Sequence, residues 1–446
     1  MTVADGVPLL KSAECDATST KLFAPRPEPA AVSQIADLAR RHHFADALKL
    51  TALVSTPQAV WFTNGTPREV ERAVRQTMER AAREDRIPVL VAYNIPFRDC
   101  AGYSGGGAVD TASYAAWIAG FARGIGKGKA LVILEPDSLG IIPYNTTIFG
   151  AADWCKPTVT DATGATVPAP GASSDERYAQ LQGAVAALAG SAPNASVYLD
   201  GTHSAWLGVG EAAFRIHKAG FDPTSGAPLV KGFFTNVSNF QPTDQLVQFG
   251  TWVSQCLAAA TVGASWAVGH FDYCPSQYDP ATNYTTVNYT PAFEATVTAS
   301  LANMLNGAVA TLPFVIDTSR NGRGALDATQ FAAAPYDQPA GVISTLQAGN
   351  WCNPPGAGAG LRPTTSTGVS LVDGYLWIKT PGESDGACAV NGGARAWDFT
   401  VYNPWSVTGD AQKGFDPLWG MADPAAGVWF PAQALQLAQL AVPPLF

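Results

Sequence analysis

The chain reads as a parallel α/β barrel, and three observations predict it. Short apolar runs alternate with helical patterns through most of the 446 residues, the order expected of a repeated βα fold. Acidic residues fall at or just past the ends of those runs, where barrel enzymes carry their chemistry on the C-terminal rim. None of the runs opens into a Gly-rich dinucleotide turn, which argues against a Rossmann sheet.

Residues 1–45 read as a lead-in packed on the barrel, with Ala31–Arg41 as its helix, and residues 46–446 as the barrel itself. The expected strands are Thr51–Ser55, Val89–Tyr93, Leu131–Glu135, Ser196–Asp200, Gly232–Asn236, Leu312–Asp317 and Tyr375–Lys379. Each is short and apolar, as a strand buried on both faces should be. Thr66-Pro67-Arg68-Glu69 is a capping box with Pro at the first helical position. It opens a helix with Val70, Val74 and Met78 on one face. Tyr114–Gly124 and Glu176–Ala189 read as further crossover helices. Lys156–Ser174, Asp272–Pro291 and Ala389–Pro424 break this rhythm. Loops of that length in a compact domain usually shape a binding site.

Composition removes several function classes. With 14% charged residues and a net charge of −9, the chain lacks the basic stripe that nucleic acids and anionic membranes require. No apolar run is long enough to cross a membrane. The N-terminal residues carry no basic and hydrophobic leader, so the reading is a cytosolic protein or a secreted domain without its signal peptide. Seven Cys without a Cys-x-x-Cys pair argue against a zinc site, and no cofactor is expected. Cys100, Cys155, Cys352 and Cys388 lie in loops beside the acids, where disulfides would brace long excursions; Cys256 and Cys274 suit a third bridge, leaving Cys15 odd. Cysteine usage, low Lys and 33 Pro favour a secreted, extracellular protein, and a monomer is expected.

The chemistry concentrates on the strand ends. Leu134-Glu135-Pro136-Asp137-Ser138-Leu139 ends the apolar run 130–134, and Asn94-Ile95-Pro96-Phe97-Arg98-Asp99-Cys100 ends the run before it. Two acids on successive rims can share a cleft, and acid pairs are how glycosidic bonds are hydrolysed. Asp99, Asp137, Asp200, Asp317 and Asp385 all fall at or past strand ends, among Trp61, Tyr93, Trp206, Trp351 and Trp377. Sugar rings stack their C–H faces on indoles, while their hydroxyls need carboxylates, amides and Lys at the edges. Trp61, Trp206 and Trp351 read as loop residues beside the acids, although core packing accounts for any one of them equally well.

Together these blocks resemble glycoside hydrolase family 6. The matching residues are Tyr93 with Arg98-Asp99-Cys100; Glu135-Pro136-Asp137-Ser138-Leu139; Tyr198-Leu199-Asp200-Gly201-Thr202-His203-Ser204-Ala205-Trp206; Asn236-Val237-Ser238-Asn239; Asp317-Thr318-Ser319-Arg320; Trp351-Cys352-Asn353; and Trp377-Ile378-Lys379 through Glu383-Ser384-Asp385-Gly386. The resemblance implies a distorted barrel of about seven parallel strands with long active-site loops, hydrolysing β-1,4-glucan in cellulose and cello-oligosaccharides with inversion. It implies Asp137 as general acid, Asp99 as the residue that keeps the proton on it, and Asp385 as base. Substrate contacts would come from Trp61, Tyr93, Asp200, His203, Trp206, Asn239, Trp351, Lys379 and Glu383. The implied disulfides are Cys100–Cys155 and Cys352–Cys388. The short Asp99–Asp137 connection resembles open-cleft endoglucanases, whereas the long stretch after Asp385 resembles cellobiohydrolases; the balance leans to endoglucanase.

Two rivals from other classes stand beside this reading. Gly102-Tyr103-Ser104-Gly105-Gly106 matches a nucleophile elbow in letters, but its Ser lies well past the strand, whereas the elbow needs a sharp strand-to-helix turn. A non-catalytic glucan-binding protein would keep the aromatics and lose an acid; here Asp99, Asp137 and Asp385 are all present.

Overall fold

The computed structural model describes residues 21–101, 104–281, 286–347, 352–387, 415–416 and 418–446. Seven strands form one sheet: β1 (Val60–Phe62), β2 (Val89–Ala92), β3 (Ala130–Leu134), β4 (Ala195–Asp200), β5 (Gly232–Thr235), β6 (Phe314–Asp317) and β7 (Val372–Leu376). They lie side by side in chain order, and all six neighbouring pairs are parallel. No ladder joins β7 to β1; among the described residues one backbone bond spans the seam, from the Ala59 N–H to the Trp377 carbonyl (2.9 Å). The sheet is therefore a curled barrel with an open seam.

Alternation along each strand divides the core in two. Val89, Val91, Ile133, Tyr198, Phe234, Val315 and Leu376 form a cluster inside the curl. The intervening Leu90, Ala92, Val132, Leu134, Leu199, Phe233, Phe314 and Ile316 pack outward against helices. Both faces being dry, the strands read as continuous apolar runs.

The helices are α1 (Pro29–Arg40), α2 (Phe44–Ser55), α3 (Pro67–Arg83), α4 (Thr111–Ile125), α5 (Ser174–Ser191), α6 (Val209–Gly220), α7 (Thr243–Val262), α8 (Pro291–Leu305), α9 (Ala340–Gln347) and α10 (Pro431–Gln439). The capping box opens α3 as expected: the Glu69 N–H donates to Thr66 Oγ1 (3.3 Å) and the Thr66 N–H to Glu69 Oε2 (2.8 Å). On α4, a Cβ at Gly120 would lie 2.3 Å from the Pro67 carbonyl oxygen, so only glycine permits this approach of α4 to α3. α1, α2 and α10 cover the seam, where Ala31, Leu50, Leu53, Val54, Trp377, Trp429 and Ala434 form a third cluster.

One expected strand is wrong and another is displaced: β7 runs Val372–Leu376 rather than Tyr375–Lys379, because Asp373 and Gly374 interrupt its apolar pattern. Thr51–Ser55 is the last turn of α2, whose buried Ala47, Leu50, Leu53 and Val54 recur at helical spacing. The first strand is Val60–Phe62, too short to leave a run of its own. Trp61, expected in a loop, lies on that strand. The segment Lys156–Ser174 also holds structure of its own, an antiparallel pair of Thr158–Thr160 with Thr166–Pro168.

Candidate active site

The strand ends β2, β3, β4, β6 and β7 deliver their polar residues to one rim, and the backbone is strained there. Phe97, Asp99, Cys100, Glu135, Asp137, Thr202, Asn236, Ser238 and Asn353 all have positive φ. Non-glycine residues adopt that region at a cost, and such strain gathers at functional sites.

Three buried acids hold the exits in place. Glu135, fully buried at the end of β3, accepts from the Asn94 N–H (2.8 Å) and the Ile95 N–H (3.0 Å), fixing the loop that leads to Asp99. Asp200 ends β4 and accepts from the Leu139 and Gly140 N–H groups (both 3.1 Å) and the Thr202 N–H (2.8 Å), fixing the loop just past Asp137. Asp317 ends β6 and accepts from the N–H groups of Ser319 (2.9 Å), Lys379 (2.9 Å), Ile378 (3.2 Å) and Ser238 (3.3 Å). Burial raises Glu135 to about 7 and Asp200 to about 6, against the pull of the same N–H groups.

Three further acids, Asp99, Asp137 and Asp385, lie close enough on the rim for the charges of the other two to act on Asp137. Asp137 is half-buried, and no hydrogen bond is made by its carboxyl among the described residues. Its pKa lies well above the ordinary carboxylate value, first through desolvation and then through the charges of Asp200, Asp99 and Asp385. Asp385 is the opposite case. Burial alone would raise it, but Arg320 and Lys379 hold it below its ordinary value. Arg320 Nη1 donates to both Asp385 oxygens at 2.9 Å, and Lys379 Nζ lies 3.5 Å from Oδ1. Asp99 accepts from the Ser104 N–H (2.8 Å), and Ser104 Oγ donates to the Asp385 carbonyl (3.3 Å), so the loop after β2 touches the loop after β7.

The remaining expected residues gather on the same rim. The buried Tyr93 packs edge-on to Trp61 at 5.4 Å. Its phenol is raised by burial, then by the charges of Asp137 and Asp99, which places both acids close by. Trp61 Nε1 donates to the Ile378 carbonyl (2.8 Å). His203 is held neutral by burial, its pKa lowered to about 3, and its Nδ1 accepts from the Ala205 N–H (3.2 Å). Its ring lies 5.6 Å from Trp206. A Cβ at Gly140 would meet the Trp206 ring at 2.5 Å. Asn239 Oδ1 accepts from the Phe240 N–H (3.0 Å). Lys379 Nζ donates to the Ser384 carbonyl (3.2 Å), and burial raises Glu383 to about 7. Trp351 lies outside the described residues.

A match to the family model described as glycosyl hydrolases family 6 runs from residue 17 to residue 441. The chain belongs to that family. Endoglucanase 1 of Streptomyces halstedii is 32% identical over 78% of this chain and 77% of its own length. A probable 1,4-beta-D-glucan cellobiohydrolase C of Neosartorya fischeri is 28% identical over 89% of this chain and 72% of its own. An endoglucanase of Mycobacterium tuberculosis, solved with a methyl-cellobiosyl-thio-cellobioside, superposes with a TM-score of 0.56 at 26% identity, covering 95% of this chain and 98% of that one. Of two other curated endoglucanases the chain spans 53% and 54% of the length. As a family 6 member the chain is a glycoside hydrolase of the cellulase kind.

The bridge expected between Cys100 and Cys155 is present, and a second joins Cys256 to Cys274. Cys352 is also disulfide-bonded; Cys388 lies outside the described residues. Sequence reasoning passed over two residues of this family 6 site. Arg320 is buried beneath Asp385, stacked over Phe240 at 4.5 Å. Asn353 accepts from the Asp385 N–H (2.7 Å) and donates through Nδ2 to Ser384, Gly386 and Asp423 (2.9–3.0 Å). Both stood inside matched blocks. An Arg just past a buried strand is itself a signal, since a buried guanidinium calls for a carboxylate.

Proposed function

We propose that the chain cuts β-1,4-glucosidic bonds of cellulose and related β-glucans with inversion, acting on internal bonds. Asp137 is the general acid, Asp99 keeps its proton in place, and Asp385 is the base that draws a proton from water. The reading rests on one observation: neighbouring acids of the same type are driven in opposite directions, Asp137 up and Asp385 down. Such a split is how two carboxylates take acid and base roles at one pH. Trp61, Tyr93, His203, Trp206, Asn239, Trp351, Lys379 and Glu383 would line the sugar path. Asp200 would act with them by holding the Asp137 loop, since both its oxygens already accept backbone N–H groups. Residues 46–446 form the catalytic barrel in this reading, with 1–45 as lead-in, and the disulfides support an extracellular setting. NMR of the first product from a β-glucan tests inversion: the α-anomer is expected, and initial β product overturns it.

Internal cutting is supported by the short Asp99–Asp137 connection and by the endoglucanase relatives. One observation favours the alternative, release of cellobiose from chain ends: Ser104 reaches Asp385 and roofs part of the cleft. Viscosity against reducing-end production on carboxymethyl cellulose decides. Rapid thinning at low sugar release is expected; slow thinning with early cellobiose would make the enzyme a cellobiohydrolase.

A further inference from the structure

The segment between α7 and α8 carries side chains that the catalytic reading does not use. After α7 ends at Val262, the chain turns back along α6 and displays Trp266 and Tyr273, 50% and 51% exposed. Their rings are 6.4 Å apart with 31° between their planes, and His270 stacks on Tyr273 at 4.2 Å and 7°. Val262 and Val268 are exposed beside them. Asp272, 3.4 Å from His270, supplies an acceptor at the edge.

This display is held rigid. Cys274, next to Tyr273, is bridged to Cys256 on α7. Phe271 anchors the turn on α6, with its ring 5.2 Å from His217 and 5.8 Å from Phe214. The Phe271 carbonyl lies so close to Gly210 that a Cβ there would come within 2.2 Å. The backbone closes on itself through Gly269 N–H to the Ala260 carbonyl (2.8 Å) and Ala264 N–H to the Met304 carbonyl (2.8 Å). A loop that only linked two helices would gain by folding these rings inward; large apolar surface kept exposed on a rigid frame marks an interaction site.

The segment is also continuous with the cleft. Five residues after Tyr273, the Tyr278 hydroxyl donates to the Trp206 carbonyl (3.1 Å). Gln277 Nε2 donates to the Ser204 and Leu207 carbonyls (3.3 and 3.0 Å), and the Tyr289 hydroxyl to that of Ser204 (3.0 Å). The loop carrying His203 and Trp206 is thus bolted to the segment that displays the aromatic pair.

We propose that Trp266 and Tyr273 form a second glucan-binding site on the flank of the barrel, which holds a β-1,4-glucan chain of insoluble substrate while the cleft works. The occupant follows from chemistry: Trp266 and the Tyr273 face that His270 does not cover offer ring faces to pyranose C–H faces, and Asp272 supplies an acceptor for hydroxyls beside them. A polymer substrate offers chains beyond the one in the cleft. The proposal rests on the glucan reading above, and its test separates the two.

Trp266→Ala, Tyr273→Ala and the double variant are compared with the parent protein and with Asp137→Ala. The measurements are partition onto microcrystalline cellulose and hydrolysis of soluble cello-oligosaccharides. Both rings are exposed, so the variants should melt with the parent. The double variant should bind crystalline cellulose about tenfold more weakly, the scale of truncating interface aromatics, while its rate on soluble substrate holds. Asp137→Ala should bind crystalline cellulose as the parent does. Unchanged partition of the double variant overturns the proposal, and so does an equal loss on soluble substrate. A parent dimer that the double variant dissolves, seen by light scattering, would give the patch to a second copy. Failure of the parent to hydrolyse any soluble glucan would strike the catalytic reading instead, leaving the partition result to stand alone.

Discussion

Glu135 and Asp137 are two positions apart, both with positive φ at the exit of β3, and they do opposite work. Glu135 is fully buried with its oxygens taken by the Asn94 and Ile95 N–H groups. Asp137 faces the cleft without a bonded partner among the described residues. Asp200 and Asp317 are held, like Glu135, by several backbone donors, whereas Asp99 and Asp385 are half-buried, the first accepting from the Ser104 N–H and the second held chiefly by Arg320. Position on the rim gathers all six. What a carboxyl does there depends on what holds its oxygens: several backbone N–H groups on one carboxyl fix geometry, a guanidinium keeps a carboxyl ionised, and a carboxyl without such partners, as at Asp137 among the described residues, is left to exchange a proton.

The sharpest way to break this division is Asp137→Ala. Removal of a positioned general acid costs about 10²–10⁴-fold in rate, and the loss should shrink on substrates whose leaving group needs no proton. Thermal stability should hold, since the carboxyl makes no hydrogen bond among the described residues. Near-normal turnover on cellulose would remove Asp137 from the chemistry.

Glu135→Gln probes the other side of the division. Its folded pKa, about 7, lies above the ordinary 4.5. A raised acid stabilises fully below its unfolded pKa, and that contribution is lost as pH rises through the folded one. The parent should therefore lose stability between about pH 4.5 and pH 7, by an amount on the order of 3 kcal/mol from this group. Gln keeps an acceptor for the Asn94 and Ile95 donors and does not titrate. Denaturant midpoints across that window should fall less steeply in the variant; an identical slope would show that Glu135 titrates as it does in the unfolded chain.

How much of this was legible in the sequence follows from the same physics. Five of the seven strands showed as apolar runs because both faces of the sheet are dry there; the last, with Asp373 and Gly374 inside it, was expected three residues too late. The first did not show, since three residues leave no run and the buried Leu53 and Val54 of α2 imitate one. The acids were legible by their place at strand ends. Their division into holders and actors was not, because a sequence does not say which way a carboxyl turns. Asp200 stood out as a rim acid, yet its oxygens close on Leu139 and Gly140, some 60 residues away. Arg320 and Asn353 stood in matched blocks, but their pairing with Asp385, 65 and 32 residues away, could not be read from the sequence.

Arg320→Gln is the most diagnostic change. Burial pushes Asp385 up while Arg320 and Lys379 pull it down, and the charges prevail. With the guanidinium gone, desolvation is opposed only by Lys379 and the Asn353 N–H, so the Asp385 pKa rises. A base must be ionised to act, so the acid limb of the kcat/KM profile moves to higher pH. In the proposed reading the alkaline limb belongs to Asp137, which must stay protonated. Its elevation comes from burial and from Asp200, Asp99 and Asp385, with no contribution from Arg320. That limb should stay in place, and the bell should narrow from one side only. A profile displaced as a whole, or an acid limb that does not move, would mean that Asp385 is held for structure like Glu135, and the base would have to be sought elsewhere on the rim.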